Sequence, residues 1–172
     1  QLFVTCLIDS FYPQTGEAIV DILRRLGMDV EFPSGQTCCG QPNFNAGLRA
    51  EARPIAEHTI KVFEKTKGDI VMPSGSCAHM LKHGYLELFA DDPAWLPRAQ
   101  SLASRVYEFT EYLVDNLGVT DLGARWDGTL TYHPSCHTLR GMNIDRQPRA
   151  LLANVRGATV VELPHAEECC GF

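Results

Sequence analysis

The sequence predicts an α/β fold made of two duplicated β-α-β halves with a largely parallel sheet. Three observations predict it. Short apolar runs alternate with segments of helical period, glycine and proline punctuate the junctions, and one cysteine pattern recurs together with its flanking residues.

Each element has its own signal. Residues 2–5 (LFVT) are an apolar run of strand length. Residues 15–26 place Ile19, Ile22, Leu23 and Leu26 on one helical face, and Gly27 is a natural C-terminal stop. Asp29 to Phe32 is a second strand, closed by Pro33. From Gly47 to Thr66 the set Ala52, Ile55, Thr59, Ile60 and Phe63 has helical spacing, and Gly68 ends it. Asp69 to Met72 is a third strand, followed by Pro73-Ser74-Gly75. A helix from about Cys77 to Phe89 precedes a proline-punctuated loop, Asp91 to Pro97. Residues 98–117 carry Val106, Phe109, Leu113 and Leu117 on one stripe and are expected to be helical. Gly128 to His133 is a strand, 147–155 a helix and 158–163 a strand. This order makes each half Rossmann-like, and in such sheets sites form at the carboxyl ends of strands. Every cysteine lies shortly after a strand, so all seven are expected along one sheet edge.

Composition narrows the function. Of 172 residues, 45% are hydrophobic and 21% charged, which argues for a globular chain and against disorder. A net charge of −6 without a basic block argues against nucleic-acid and anionic-membrane binding. No apolar run approaches the ~20 residues of a membrane span. The opening QLFVTCLIDSFYP carries Asp9 and no basic region, unlike a secretory signal, so a cytoplasmic location is expected.

The seven cysteines are Cys6, Cys38, Cys39, Cys77, Cys136, Cys169 and Cys170. In a cytoplasmic chain an odd number favours metal or redox chemistry over disulfides. Cys6 and Cys38 are separated by 31 residues, Cys136 and Cys169 by 32, and each span ends in Cys-Cys-Gly. GMDVEFP (27–33) answers GATVVELP (157–164), with one residue inserted. The duplication thus includes both the thiols and the scaffold that places them. It divides the chain into repeats at 1–120 and 121–172. Four thiolates suit an iron–sulfur cluster or a closed zinc site, and the residues leave both open. Gly40 lets the backbone turn beside the pair, and Gln41, Pro42 and Asn43 shape that loop. Ser74-Gly75-Ser76 precedes a helix, whose first N–H groups are available to sulfur. His79 and His83 have metal-ligand spacing but read as a solvated helix face. His133 is placed near the second set or in a structural hydrogen bond, His58 and His165 on the surface, and Glu167 and Glu168 in solvent. Tyr107, Phe109 and Tyr112 read as core or interface.

The C-x31-CCG spacing, its repeat, and the segments QTCCGQPNFNAG (36–47), VMPSGSCAHM (71–80) and YHPSC (132–136) resemble the cysteine-rich CCG-domain proteins. Among these, the lactate-utilisation and glycolate oxidase iron–sulfur subunit-like group is nearest, and the cysteine-rich component of heterodisulfide reductase is more distant. The resemblance implies a [4Fe–4S] cluster on Cys6, Cys38, Cys39 and Cys77, and a second site on Cys136, Cys169 and Cys170. Met80 stands where the heterodisulfide pattern has a further cysteine. The resemblance also implies a second repeat truncated at its C-terminus, and a second site that is incomplete. Its function would be electron transfer within a complex oxidising L-lactate or glycolate, beside other iron–sulfur subunits. The alternatives are a thiol/disulfide redox module and a structural zinc domain. The chain has no Gly-x-Gly-x-x-Gly fingerprint, so it reads as a subunit of an oxidoreductase and not a complete enzyme.

Overall fold

Four extended segments line up in the first unit, Gln1–Glu108, of a computed structural model that describes residues 1–169. Leu2 donates its N–H to the Glu31 carbonyl (2.9 Å) on one side. On the other, Phe3 donates to Val71 (3.0 Å) and Val71 returns a bond to Gln1 (2.9 Å), making a parallel bridge. β1 (Ile70–Met72), buried at all three residues, then pairs in parallel with β2 (Val106–Glu108).

The expected strands at 2–5 and 29–32 are extended neighbours but not ladder strands, and Gln36 is the reason. Its side-chain amide donates to the Leu2 carbonyl (2.7 Å) and accepts the Val4 N–H (3.2 Å). It thereby takes the backbone groups that a second strand would have used. Thr5, at φ 71°, then turns the chain out of its extended course.

α1 (Cys6–Phe11) leads into α2 (Pro13–Arg25), which starts on proline and buries Ile19 and Leu23. Gly27 ends it at φ 82°, where the left-handed turn lets Met28 bond back to Leu23 (3.0 Å). α3 (Gln41–Asn45) precedes α4 (Arg49–Phe63), whose buried stripe is Ala52, Ala56, Thr59, Ile60 and Phe63. After β1 come α5 (Gly75–His79), a π turn at Met80–Gly84, α6 (Tyr85–Leu88) and α7 (Leu96–Ala103). The Phe3 and Phe63 rings meet tilted, with centroids 5.3 Å apart, in the core, which also holds Ile70, Met72, Leu81, Tyr85 and Phe89.

The helix expected over 98–117 is interrupted. α7 stops at Ala103, β2 takes Val106–Glu108, and α8 (Phe109–Glu111) with a π turn at Tyr112–Asn116 follows. Val106 matched the helical stripe, but its burial comes from the sheet. Parallel pairing with β1 outweighs the local period.

The second unit begins at Phe109. Here β3 (Arg125–Leu130), a π turn at His137–Gly141, α9 (Arg146–Ala153) and β4 (Arg156–Val160) form a β-α-β unit. β3 and β4 run parallel, with Thr129 opposite Thr159 and Leu130 opposite Val160. The architecture is α/β, but the described strands fall into two two-stranded sheets. Among the described cysteines, Cys77 follows β1 of one sheet while Cys136 and Cys169 follow β3 and β4 of the other, so the single sheet edge expected for all seven is not formed. No helix among the described residues is long and apolar enough to cross a membrane.

One surface pair gives the first unit a pH dependence. Glu64 accepts two bonds from Arg98 (2.7 and 2.6 Å), and the guanidinium holds its carboxyl below the usual range. The stabilisation is present above the ordinary carboxylate value and is lost as pH falls through the lowered one. At this exposed site it amounts to about 0.2–1 kcal/mol. Urea unfolding of Glu64→Gln is expected to show that deficit at neutral pH and to match the parent in acid.

Candidate metal centre

Three chain segments of the first unit bring four thiols together. Cys6 opens α1, Cys38 and Cys39 sit in the turn before α3, and Cys77 lies in α5. Gly40 makes that turn at φ 82°, and a Cβ there would come to 3.4 Å of Ile55. The Sγ atoms of Cys39 and Cys77 are 3.3 Å apart. Cys38 bonds through its side chain to both Cys39 and Cys6, and accepts the Gly40 N–H at 3.4 Å. The thiols thus interact in succession: Cys6, Cys38, Cys39, Cys77. Cys39 and Cys77 are buried; Cys6 and Cys38 are half-buried. A cavity of about 130 Å³ opens beside Thr5, Cys6, Asp9, Gln36 and Cys38.

The electrostatics divide the four. The Cys39 thiol, the Gly40 N–H and the Cys6 thiol pull Cys38 well below the ordinary thiol value, against burial. Bonds from Cys39, then from Ser74 and Ser76, lower Cys77. Donation to Cys38 and Cys77, together with burial, raises Cys39. Burial and the neighbouring Cys38 raise Cys6. Two of the thiols, Cys38 and Cys77, are thus shifted toward ionisation, and Cys39 and Cys6 away from it. Ser74 caps α5 by accepting the Cys77 N–H (3.5 Å), and its hydroxyl meets that of Ser76 at 3.1 Å. The helix N–H expected to face sulfur is, at Cys77, taken by this cap.

Three residues escaped the sequence reading. Tyr85, fully buried, donates its hydroxyl to the Cys39 carbonyl at 2.9 Å and so fixes the pair from beneath. Gln36 ties the segment before Cys6 to the segment before Cys38. Thr5 is 3% exposed and holds φ 71°, ψ 146°, a region nearly confined to glycine, at a cost of about 1–3 kcal/mol. It occupies the N-cap position of α1 without capping it, and its buried hydroxyl has no partner. Gln36 stands inside the quoted cysteine motif and was the most findable of the three. A positive φ at threonine leaves no sequence signal.

In the second unit, Cys136 starts the helical turn that continues into the π turn, and Cys169 is exposed. His133 bonds the Glu168 carbonyl (3.0 Å) and Arg140 donates to the Glu167 carbonyl (2.7 Å), tying the segment before Cys169 to the one around Cys136. Cys170 lies outside the described residues. His79 is half-buried and His83 exposed, with rings 5.0 Å apart. His58, His165, Glu167 and Glu168 are exposed, as expected of surface residues. Gln41 is buried beside the pair, and Tyr112 is core while Tyr107 and Phe109 are half-buried.

Among the described residues, no group of three or more His, Cys, Asp or Glu side chains is arranged to hold a single metal ion. A lone zinc gathers its sulfurs on one shell of about 2.3 Å radius. A multi-iron cluster takes one thiolate per iron and so accepts ligands spread around it. Four thiols from three segments supply the one-per-iron donor set that such a cluster takes, and the same four would serve a zinc ion once drawn onto one shell.

The sequence profile of the Cysteine-rich domain family, CCG, matches residues 1–82 and 130–172. Lactate utilization protein A of Bacillus cytotoxicus is 50% identical over 171 residues, which is 99% of this chain and 71% of that protein. The same identity and coverage hold for lactate utilization protein A 1 of Bacillus cereus strain AH820 and lactate utilization protein A of Bacillus thuringiensis strain Al Hakam. The two matched segments contain all seven cysteines.

Proposed function

This chain belongs to the cysteine-rich domain family, alongside lactate utilization protein A, and on that premise we propose that it is an iron–sulfur electron-transfer subunit of a cytoplasmic complex oxidising a 2-hydroxy acid, L-lactate or glycolate. The observation that carries the reading is the meeting of four thiols from three segments, Cys39 and Cys77 at 3.3 Å among them. In this reading Cys6, Cys38, Cys39 and Cys77 hold a [4Fe–4S] cluster in the first repeat, 1–120. Cys136, Cys169 and Cys170 serve a second site in the repeat 121–172. The cluster supplies one-electron transfer. The chain supplies the thiolates, the Gly40 N–H bonded to the Cys38 sulfur, and the Tyr85 hydroxyl that holds the pair in place. Other iron–sulfur subunits of the complex exchange electrons with it.

Protein purified without oxygen is expected to be brown and to carry about four iron and four sulfide per filled site. Colourless protein with stoichiometric zinc would overturn the reading in favour of a structural zinc domain. The 3.3 Å separation of Cys39 and Cys77 favours a second reading, a thiol/disulfide module. Colourless, metal-free protein in which this pair cycles between dithiol and disulfide would establish that instead.

A further inference from the structure

Thr5 combines two features that local folding does not explain. A β-branched residue sits in a backbone conformation that suits glycine, directly before the first cysteine. Its hydroxyl is buried yet has no partner. The other hydroxyls beside these cysteines are all engaged. Ser74 accepts the Cys77 N–H, and Ser76 bonds Ser74. Ser135, which precedes Cys136 as Thr5 precedes Cys6, accepts the Thr138 N–H at 3.2 Å and meets the Thr138 hydroxyl at 2.7 Å. At Thr5, by contrast, the hydroxyl stands at the N-cap position and makes no cap. A strained backbone and an unsatisfied buried hydroxyl, in the residue that precedes Cys6 and lines one cavity with Cys6 and Cys38, point to a role at that thiol.

We propose that Thr5 is a positioning residue of the cysteine centre, whose strained backbone sets Cys6 against Cys38 and whose buried hydroxyl is the hydrogen-bond donor kept for the bound cofactor. This rests on the iron–sulfur reading of the same site. A donor to cluster sulfur stabilises the more negative, reduced form and so raises the potential. The hydroxyl is unsatisfied only while the cofactor is absent, so removing it burdens the loaded protein and relieves the cofactor-free one.

The test uses Thr5→Val, which keeps the branched shape and deletes the hydroxyl, and Thr5→Ser, which keeps the hydroxyl. Each is compared with the parent, cofactor-free and after anaerobic reconstitution. Thr5→Val is expected to match or exceed the parent's melting temperature without cofactor. Once loaded, it should show a lower midpoint potential and release iron to a chelator several-fold faster. Thr5→Ser should restore both loaded properties. A Thr5→Val protein equally destabilised with and without cofactor, or one with unchanged potential and iron release, overturns the proposal and leaves the iron–sulfur reading standing. A parent chain that takes up no cluster overturns both.

Discussion

Cys38→Ser, reconstituted without oxygen, is expected to lose most of the iron that the parent chain holds in its first unit. Cys38 is the central member of the thiol series, bonded to Cys6 on one side and Cys39 on the other, and it has the most strongly lowered thiol value of the four. A serine hydroxyl ionises far less readily than a thiol and is a poor replacement for a soft thiolate ligand. The fold itself should survive, because Cys38 is half-buried and the core is built from Phe3, Ile60, Phe63 and their neighbours. Far-ultraviolet circular dichroism should therefore match the parent while iron per chain drops. Cys136→Ser, in the second unit, is expected to leave the first unit's iron in place. Equal iron loss in the two variants would refute the dominance of the first site.

Tyr85 carries the second large effect, and it separates packing from site geometry. Tyr85→Ala removes a fully buried ring and leaves a cavity, which should lower unfolding free energy by about 3–5 kcal/mol in denaturant titrations. Tyr85→Phe keeps the ring and removes the hydroxyl from the Cys39 carbonyl and from the Thr59 side chain, costing about 1–3 kcal/mol. The phenylalanine variant should also release iron faster than the parent, since the backbone of Cys39 loses its buried support. If Tyr85→Phe unfolds as the parent does, the 2.9 Å bond has no structural weight.

What the sequence made legible follows from where each determinant resides. α2 and α4 were readable because their apolar faces are local and uninterrupted, and Gly27 stops α2 as its position predicts. The meeting of Cys6, Cys38, Cys39 and Cys77 was readable because each follows an extended segment, although only β1, before Cys77, is a ladder strand. β2 was not. Three residues, Val106–Glu108, fit a helical stripe just as well, and only β1, far away in sequence, decides between the two. The segments at 2–5 and 29–32 were given the right course but the wrong status, because a glutamine side chain stands in for a strand. Thr5 and Tyr85 act through a dihedral angle and a contact 46 residues distant, neither of which leaves a local pattern.

The Gln36 amide has a consequence for assembly. By bonding Leu2 and Val4 from a position two residues before Cys38, it closes the 31-residue loop between Cys6 and Cys38 with protein atoms alone. Closing a loop of that length from a disordered chain costs about 3–4 kcal/mol of chain entropy. An incoming cofactor does not have to supply that amount, because the folding of the first unit has already done so. On the iron–sulfur reading, the affinity of the thiols for iron would then be spent on bond formation and not on gathering the chain, so that loading and unloading would proceed on a scaffold that stays closed.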